Sequence, residues 1–183
     1  MPSDNTSALE LLLLSPCLMP GNTSFTDSKT TVNINPKNDE TILLFSIDDQ
    51  TNKSCKLRQF LWGKKQGESL CDLIIFYACG EKRILCFAEL KDNIGDLGKA
   101  KDQVINTHKA VKQKLKLGYT AKAFITAHHG SAPQEHQRYQ KELQDAFGKG
   151  NHEYNGKGDE LDKFLRGEAD GNIGKGKRKK NKK

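Results

Sequence analysis

The amino-acid sequence predicts a single α/β domain, a mixed central sheet flanked by helices, and three observations carry that expectation. Two β-type apolar runs, residues 71–77 and 83–90, stand five residues apart around Gly80, the spacing of an antiparallel hairpin. Next comes a stretch whose apolar residues Leu97, Ala100, Val104, Ile105, Val111, Leu115 and Leu117 recur with helical period. A third apolar run, 121–127, precedes a polar helical stretch opened by Pro133 and reaching about Phe147. Strand, strand, helix, strand, helix is the order of an α/β domain.

The elements follow in chain order. Residues 1–39 are expected to form an irregular arm, because 20–40 are rich in Asn, Thr, Ser and Asp with Pro20, Gly21 and Pro36, too polar to offset the entropy of ordering. The apolar run 8–14 has no Lys or Arg before it and Asp4 in front, which argues against a signal peptide. A domain is expected over 40–150. It opens with a strand at 41–47 ended by Asp48 and Asp49, followed by an apolar-containing stretch at 57–62 that the pattern leaves open between helix and strand. The hairpin of 71–77 and 83–90 comes next. Asp96 is a suitable N-cap for the long helix, and Gly118 a suitable C-cap. Residues 151–183 are expected as a polar, basic tail, with Leu161, Phe164 and Leu165 anchoring a short helix and residues 166–183 disordered.

Charge is segregated along the chain. Of 183 residues 30 are Lys or Arg and 23 Asp or Glu, a formal net charge of +7. Residues 175–183 alone carry all of that excess, while residues 1–50 are net negative. Such polarity points to an anionic partner for the C-terminal part, most commonly nucleic-acid phosphate. A mean hydropathy of −0.72 and the lack of any apolar run near the ~20 residues a bilayer requires exclude a spanning helix and a membrane partner of that kind. The five cysteines are odd in number and without a Cys-x-x-Cys pair, and Cys71, Cys79 and Cys86 sit in or beside the strand-like segments. They read as small buried hydrophobes in a reducing cytoplasm.

The chemistry-bearing residues converge at one edge of the hairpin. Side chains alternate along a strand, so Glu89 and Lys91 share a face while Leu90 takes the other. Antiparallel pairing brings Asp72, at the start of one strand, beside Glu89 at the end of the next. Two carboxylates so placed repel unless a proton or cation joins them, and a hard divalent ion such as Mg²⁺ is held in this way with water. A metal there lowers the pKa of a bound water and offsets charge on a phosphoryl oxygen, with Lys91 orienting the water or neutralising the transition state.

Asp72, a 17-residue interval and then Glu89-Leu90-Lys91 together resemble the PD-(D/E)XK nuclease superfamily, which includes restriction endonucleases, junction resolvases and RecB-like exonucleases. The resemblance covers about residues 40–130. It implies a restriction endonuclease-like sheet, a metal-dependent nuclease acting on DNA (RNA being the other polymer open to it), Mg²⁺ or Mn²⁺ as cofactor, and a homodimer as a common assembly. By the same resemblance Asp72 and Glu89 are the metal-binding acids, the Leu90 backbone carbonyl completes the metal shell, and Lys91 is the catalytic lysine. Glu68 takes the place of an additional acid, and Gln103 that of a Gln that supports the site in RecB-like members. Those members carry a Tyr four positions later, where this chain has Thr107. Cys71 stands where the family name has Pro.

Alternatives stay open beside this reading. Glu89 and Lys91 can be a solvent-facing strand-edge pair with Asp72 a turn residue, and the chain can be a non-catalytic nucleic-acid-binding or assembly protein that works through its tail. Lys99, Lys101 and Lys109 on the long helix, with Lys175, Lys177, Arg178, Lys179 and Lys180 in the tail, are the candidate phosphate contacts. His128 and His129 read as a polar loop, His129 with a weaker claim on substrate phosphate, and His108 as part of a solvated helix face. With aromatic residues at 7% and Trp62 the only Trp, the sequence shows no stacking platform for single strands.

Overall fold

The computed structural model describes residues 15–48, 56–63, 69–115, 118–129, 136–154 and 157–168. Eight strands and four α-helices appear there: β1 (Leu18–Met19), β2 (Ser24–Asp27), β3 (Thr30–Asn33), β4 (Glu40–Ser46), α1 (Lys56–Trp62), β5 (Leu73–Cys79), β6 (Lys82–Asn93), α2 (Leu97–Lys114), β7 (Thr120–His129), α3 (His136–Phe147), β8 (His152–Tyr154) and α4 (Leu161–Arg166). Single 3₁₀ turns at Ile94–Asp96 and Gly158–Glu160 lead into α2 and α4.

Six strands make one mixed sheet in the order β1-β4-β5-β6-β7-β8. The pairs from β1 to β6 are antiparallel, and β6–β7 and β7–β8 are parallel. The parallel pairs are those whose connections contain α2 and α3, as a parallel crossover requires. The protein is thus α/β, with a mixed central sheet flanked by helices. Among the described residues no helix is long and apolar enough to cross a membrane.

Central position explains the composition of β6. Residues 84–90 are buried without a break, as expected of a strand covered on both faces. Leu85 and Phe87 join one apolar cluster with Leu57 and Leu61 of α1, Leu97, Val104 and Val111 of α2, and Leu143 and Phe147 of α3. Ile84, Cys86, Ala88 and Leu90 join the opposite cluster with Leu161, Phe164 and Leu165 of α4 and Val32 and Ile34. Continued to Glu89, this alternation places a carboxylate on the α1–α2 face.

Several expectations are corrected. The segment read as an irregular arm contains β1, paired to β4, and the β2–β3 hairpin, whose Val32 is buried in the core. The domain also extends past 150, since β8 adds to the sheet and α4 covers one face. Residues 57–62, which the pattern left open between helix and strand, are helical. Gly118 is not the cap of α2, which ends at an extended Leu115. His128 and His129 continue β7 instead of forming a loop. His108 is buried and stacks on Phe147 at 4.7 Å; burial pushes its imidazole down to about 4, with Lys112 adding to the effect. Cys71, Cys79 and Cys86 are free thiols, whereas Cys17 is disulfide-bonded, unlike the fully reduced set the sequence suggested.

The end of α4 is tied to the N-terminal strands. Arg166 donates to both Glu40 oxygens at 2.7 and 2.9 Å and to Asp162 at 3.0 Å. Gly167 closes α4 in the left-handed region, φ 80°, a conformation that favours glycine. Gly158 abuts the β3 backbone so closely that a Cβ would lie 2.0 Å from the Thr31 carbonyl oxygen, which leaves no room for any other residue. Arg166→Ala removes the cation shared by Glu40 and Asp162, leaves Glu40, among the described residues, with only the Tyr77 hydroxyl and the Lys37 N–H, and is expected to lower stability by about 1–3 kcal/mol, read by urea denaturation. The Arg166 guanidinium holds Glu40 down at about 2, against a desolvation that raises it. This carboxylate therefore contributes stability fully above the unfolded value near 4.5, and loses it as pH falls toward 2.

Candidate active site

The site forms where β5 begins and β6 nears its end. Register pairs Leu73 with Ala88, so one step further sets Asp72 opposite Glu89. There the two acids brace each other's strands. Glu89 Oε2 accepts the Asp72 backbone N–H at 2.9 Å, and Asp72 Oδ2 accepts the Leu90 N–H at 2.8 Å. Lys91, two residues along the same face, donates its ammonium to Glu89 Oε1. The strand-edge alternative required Glu89 to face solvent, but its side chain is 0% exposed.

Burial dominates the electrostatics. It pushes the Glu89 carboxyl up to about 8, the Asp72 charge pushes the same way, and the Lys91 hydrogen bond and charge offset only part of this. Asp72 is raised to about 6, again chiefly by burial, against the Leu90 N–H and Lys91, which lower it. Desolvation pulls Lys91 down, but its hydrogen bond and charge contact with Glu89 outweigh that and the net shift is upward. Two carboxylates sharing one ammonium in a desolvated volume favour uptake of a proton or a cation.

The segment entering β5 is fixed from α2. Gln103 Nε2 donates to the Leu70 carbonyl at 2.6 Å, and the Cys71 N–H donates to Thr107 Oγ1 at 2.9 Å. Thr107 Oγ1 donates in turn to the Gln103 carbonyl at 2.8 Å. Gln103 and Thr107 thus both hold the segment that enters β5. Thr107→Val leaves the Cys71 N–H buried without an acceptor, an expected loss of about 1–3 kcal/mol. Urea denaturation of the wild type and the variant reads this loss.

Three further contacts escaped sequence reasoning. Asp48, just past β4, follows Ile47, whose N–H donates to the Asp72 carbonyl at 2.9 Å. Burial raises its pKa, while Arg58 and Lys91 oppose this, and Arg58 lies 3.8 Å from it. The β2–β3 turn docks on the end of β6: Thr30 Oγ1 donates to the Lys91 carbonyl at 2.8 Å, and the Lys29 N–H to Asp92 at 2.9 Å. The same turn brings the Asp27 charge into the field of Asp72 and Lys91. The signal for Asp48 was present in the sequence as an acid ending a strand, but its neighbour across the sheet was not.

The donor set fits a hard divalent ion, which one or two carboxylates hold while water fills the remaining positions. Asp72 and Glu89 supply the carboxylates, with the Leu90 peptide beside them. Among the described residues no group of three His, Cys, Asp or Glu side chains forms a metal-ligand cluster. Glu68 and the tail residues Lys175, Lys177, Arg178, Lys179 and Lys180 lie outside the described residues, as does the side chain of His129. Lys99 and Lys109 are exposed on α2. Lys101 is not available to phosphate as expected: only 5% exposed, it is ion-paired to Asp102 at 2.8 Å and to Glu142 of α3. No family model, curated protein or solved structure matches the chain.

Proposed function

We propose that the chain is a Mg²⁺- or Mn²⁺-dependent nuclease with a restriction endonuclease-like site of the PD-(D/E)XK type, hydrolysing DNA phosphodiester bonds. The observation that carries this reading is the mutual brace of Asp72 and Glu89, with Lys91 ion-paired to Glu89 on one buried face. Asp72, Glu89 and the Leu90 carbonyl would hold the cation. When bound, the cation supplies an acidified water and offsets charge on a phosphoryl oxygen.

The rest falls to the chain's own groups. Lys91 keeps a fixed positive charge beside the carboxylates, placed to orient the attacking water or donate to a phosphate oxygen. Gln103 and Thr107 hold the peptide before Asp72, so the carboxylate is positioned before substrate arrives. Lys99 and Lys109 add sequence-independent contacts to the phosphate backbone, as do the tail cations.

The test is incubation of supercoiled, linear, branched and single-stranded DNA with the full chain in Mg²⁺, Mn²⁺ and EDTA. Cutting that requires the metal and stops in EDTA is expected. A folded protein that binds these DNA forms, or RNA, without cutting any of them overturns the reading and leaves a nucleic-acid-binding scaffold.

A further inference from the structure

A groove of about 820 Å³ runs between α1 and α2 on the same face of the sheet as Glu89. Phe60 and Trp62 line it from α1, and Asn106, Lys109 and Lys114 from α2. Ser69, three residues before Asp72, also lines it, so it opens beside the segment that carries a candidate metal ligand. Thr107, which binds the Cys71 N–H, lies between Asn106 and Lys109 in α2.

Two properties of the groove are unusual for this molecule. Phe60, 41% exposed, is the one large apolar side chain left exposed among the described residues. A Phe ring standing in water at a concave surface calls for an explanation, because the same helix buries Leu57 and Leu61 completely or nearly so. Further, the described lining contains two lysines and no acid, although acids and bases are nearly balanced outside the tail. An exposed aromatic ring beside two lysines matches a polymer with flat π-faces on an anionic backbone. A duplex keeps its base faces inside the stack and offers none to a ring in a groove. An unpaired strand offers one at every nucleotide.

We infer that the α1–α2 groove binds an unpaired stretch of nucleic acid, a base stacking on Phe60 and its phosphates meeting Lys109 and Lys114. Taken with the nuclease reading, on which this part rests, the substrate class is single-stranded or locally opened nucleic acid, fed from the groove toward Asp72. The binding itself does not depend on cleavage.

Trp62 is the only Trp in the chain, so its fluorescence reports the groove directly. The full chain is titrated in EDTA at 0.15 M salt with a 12-nucleotide oligodeoxyuridylate, the matching oligouridylate and a 12-base-pair duplex. Saturable quenching by a single strand, and not by the duplex, is expected, and the stronger of the two single strands identifies the sugar preferred. Phe60→Ala, a change at an exposed site, should weaken single-strand binding at least about fivefold. Lys109→Ala should weaken it and lower the slope of log affinity against log salt by about 0.7.

Equal quenching by duplex overturns the inference. So does binding seen by anisotropy of a labelled strand with no change at Trp62 and no effect of Phe60→Ala, since that pattern belongs to the tail. A Trp62 blue shift that grows with protein concentration, without oligonucleotide, would give the groove to a second copy of the chain and overturn it too. Because EDTA removes cleavage from this measurement, loss of the nuclease reading and loss of the groove reading are separately visible.

Discussion

Asp72→Asn is expected to abolish metal-dependent cleavage while making the folded chain more stable above pH 6. An Asn at 72 can keep its carbonyl oxygen on the Leu90 N–H, so the brace at 2.8 Å survives. What disappears is the buried negative charge that Asp72 carries above pH 6. In the native chain burial raises Asp72 to about 6, above its ordinary value near 4, so the fold opposes its ionisation. The resulting penalty is absent below pH 4, accumulates as pH rises toward 6, and then stays constant. One proton changes stability by at most about 1.4 kcal/mol per pH unit, so the variant should gain about 1–2 kcal/mol at pH 8 and nothing at pH 4. Activity moves the other way: losing a metal carboxylate removes several kcal/mol of transition-state stabilisation, at least about a thousandfold in rate. Urea denaturation at the two pH values and a cleavage assay decide it. Cleavage within tenfold of wild type, or a stability loss equal at both pH values, would sink the assignment of Asp72.

Lys91→Ala should produce the opposite stability profile with the same loss of activity. The Lys91 ammonium is the cation bonded to Glu89, which is fully buried. Without it an ionised Glu89 is an uncompensated buried charge, a cost of about 3–5 kcal/mol. The carboxyl can escape by staying protonated, so its folded value rises above the native value of about 8. For a carboxyl raised in the folded state, stability falls as pH climbs from the unfolded value near 4.5 toward the folded one. Both chains therefore lose stability alike up to the native value of about 8, and the variant melts progressively further below wild type only as pH climbs beyond it. Cleavage should drop at least about a hundredfold at every pH. A melting difference independent of pH would show that Lys91 acts through its packing, and retained cleavage would remove it from the chemistry.

The sheet's centre and the core of the site were legible in the sequence for one physical reason: both depend on neighbours in the chain. Alternation alone puts Glu89 and Lys91 together, and a short turn fixes the register that brings Asp72 opposite. Asp48 and Thr107 could not be found that way, because one depends on how β4 pairs with β5 and the other on how α2 packs against the start of β5. The polar hairpin 24–33 was read as linker because only Phe25, Val32 and the following Ile34 give it apolar contacts. Lys101 and His108 are a different case. They fall on the helical stripe of Leu97, Ala100, Val104 and Val111 that faces the sheet, so spacing alone was enough to place them inside. The density of lysines on that helix drew attention away from position. Counting aromatics likewise gave no sign that Phe60 and Trp62 line a groove beside α2.

The tie between Arg166 and the strands around Glu40 also bears on how the molecule assembles. Arg166 reaches Glu40 across 126 positions and the Asn35 carbonyl across 131, and the β2–β3 hairpin that Gly158 abuts also holds the Lys91 carbonyl. Contacts between such distant points close large loops and are slow to form, whereas β5, β6 and their turn are local. The edge that holds Asp72 and Glu89 therefore acquires its last support late, after the hairpin that carries the acids. During that interval the strands at Asp72 and Glu89 are paired but incompletely covered, and the rate of completing the site is set by the chain's most distant partners.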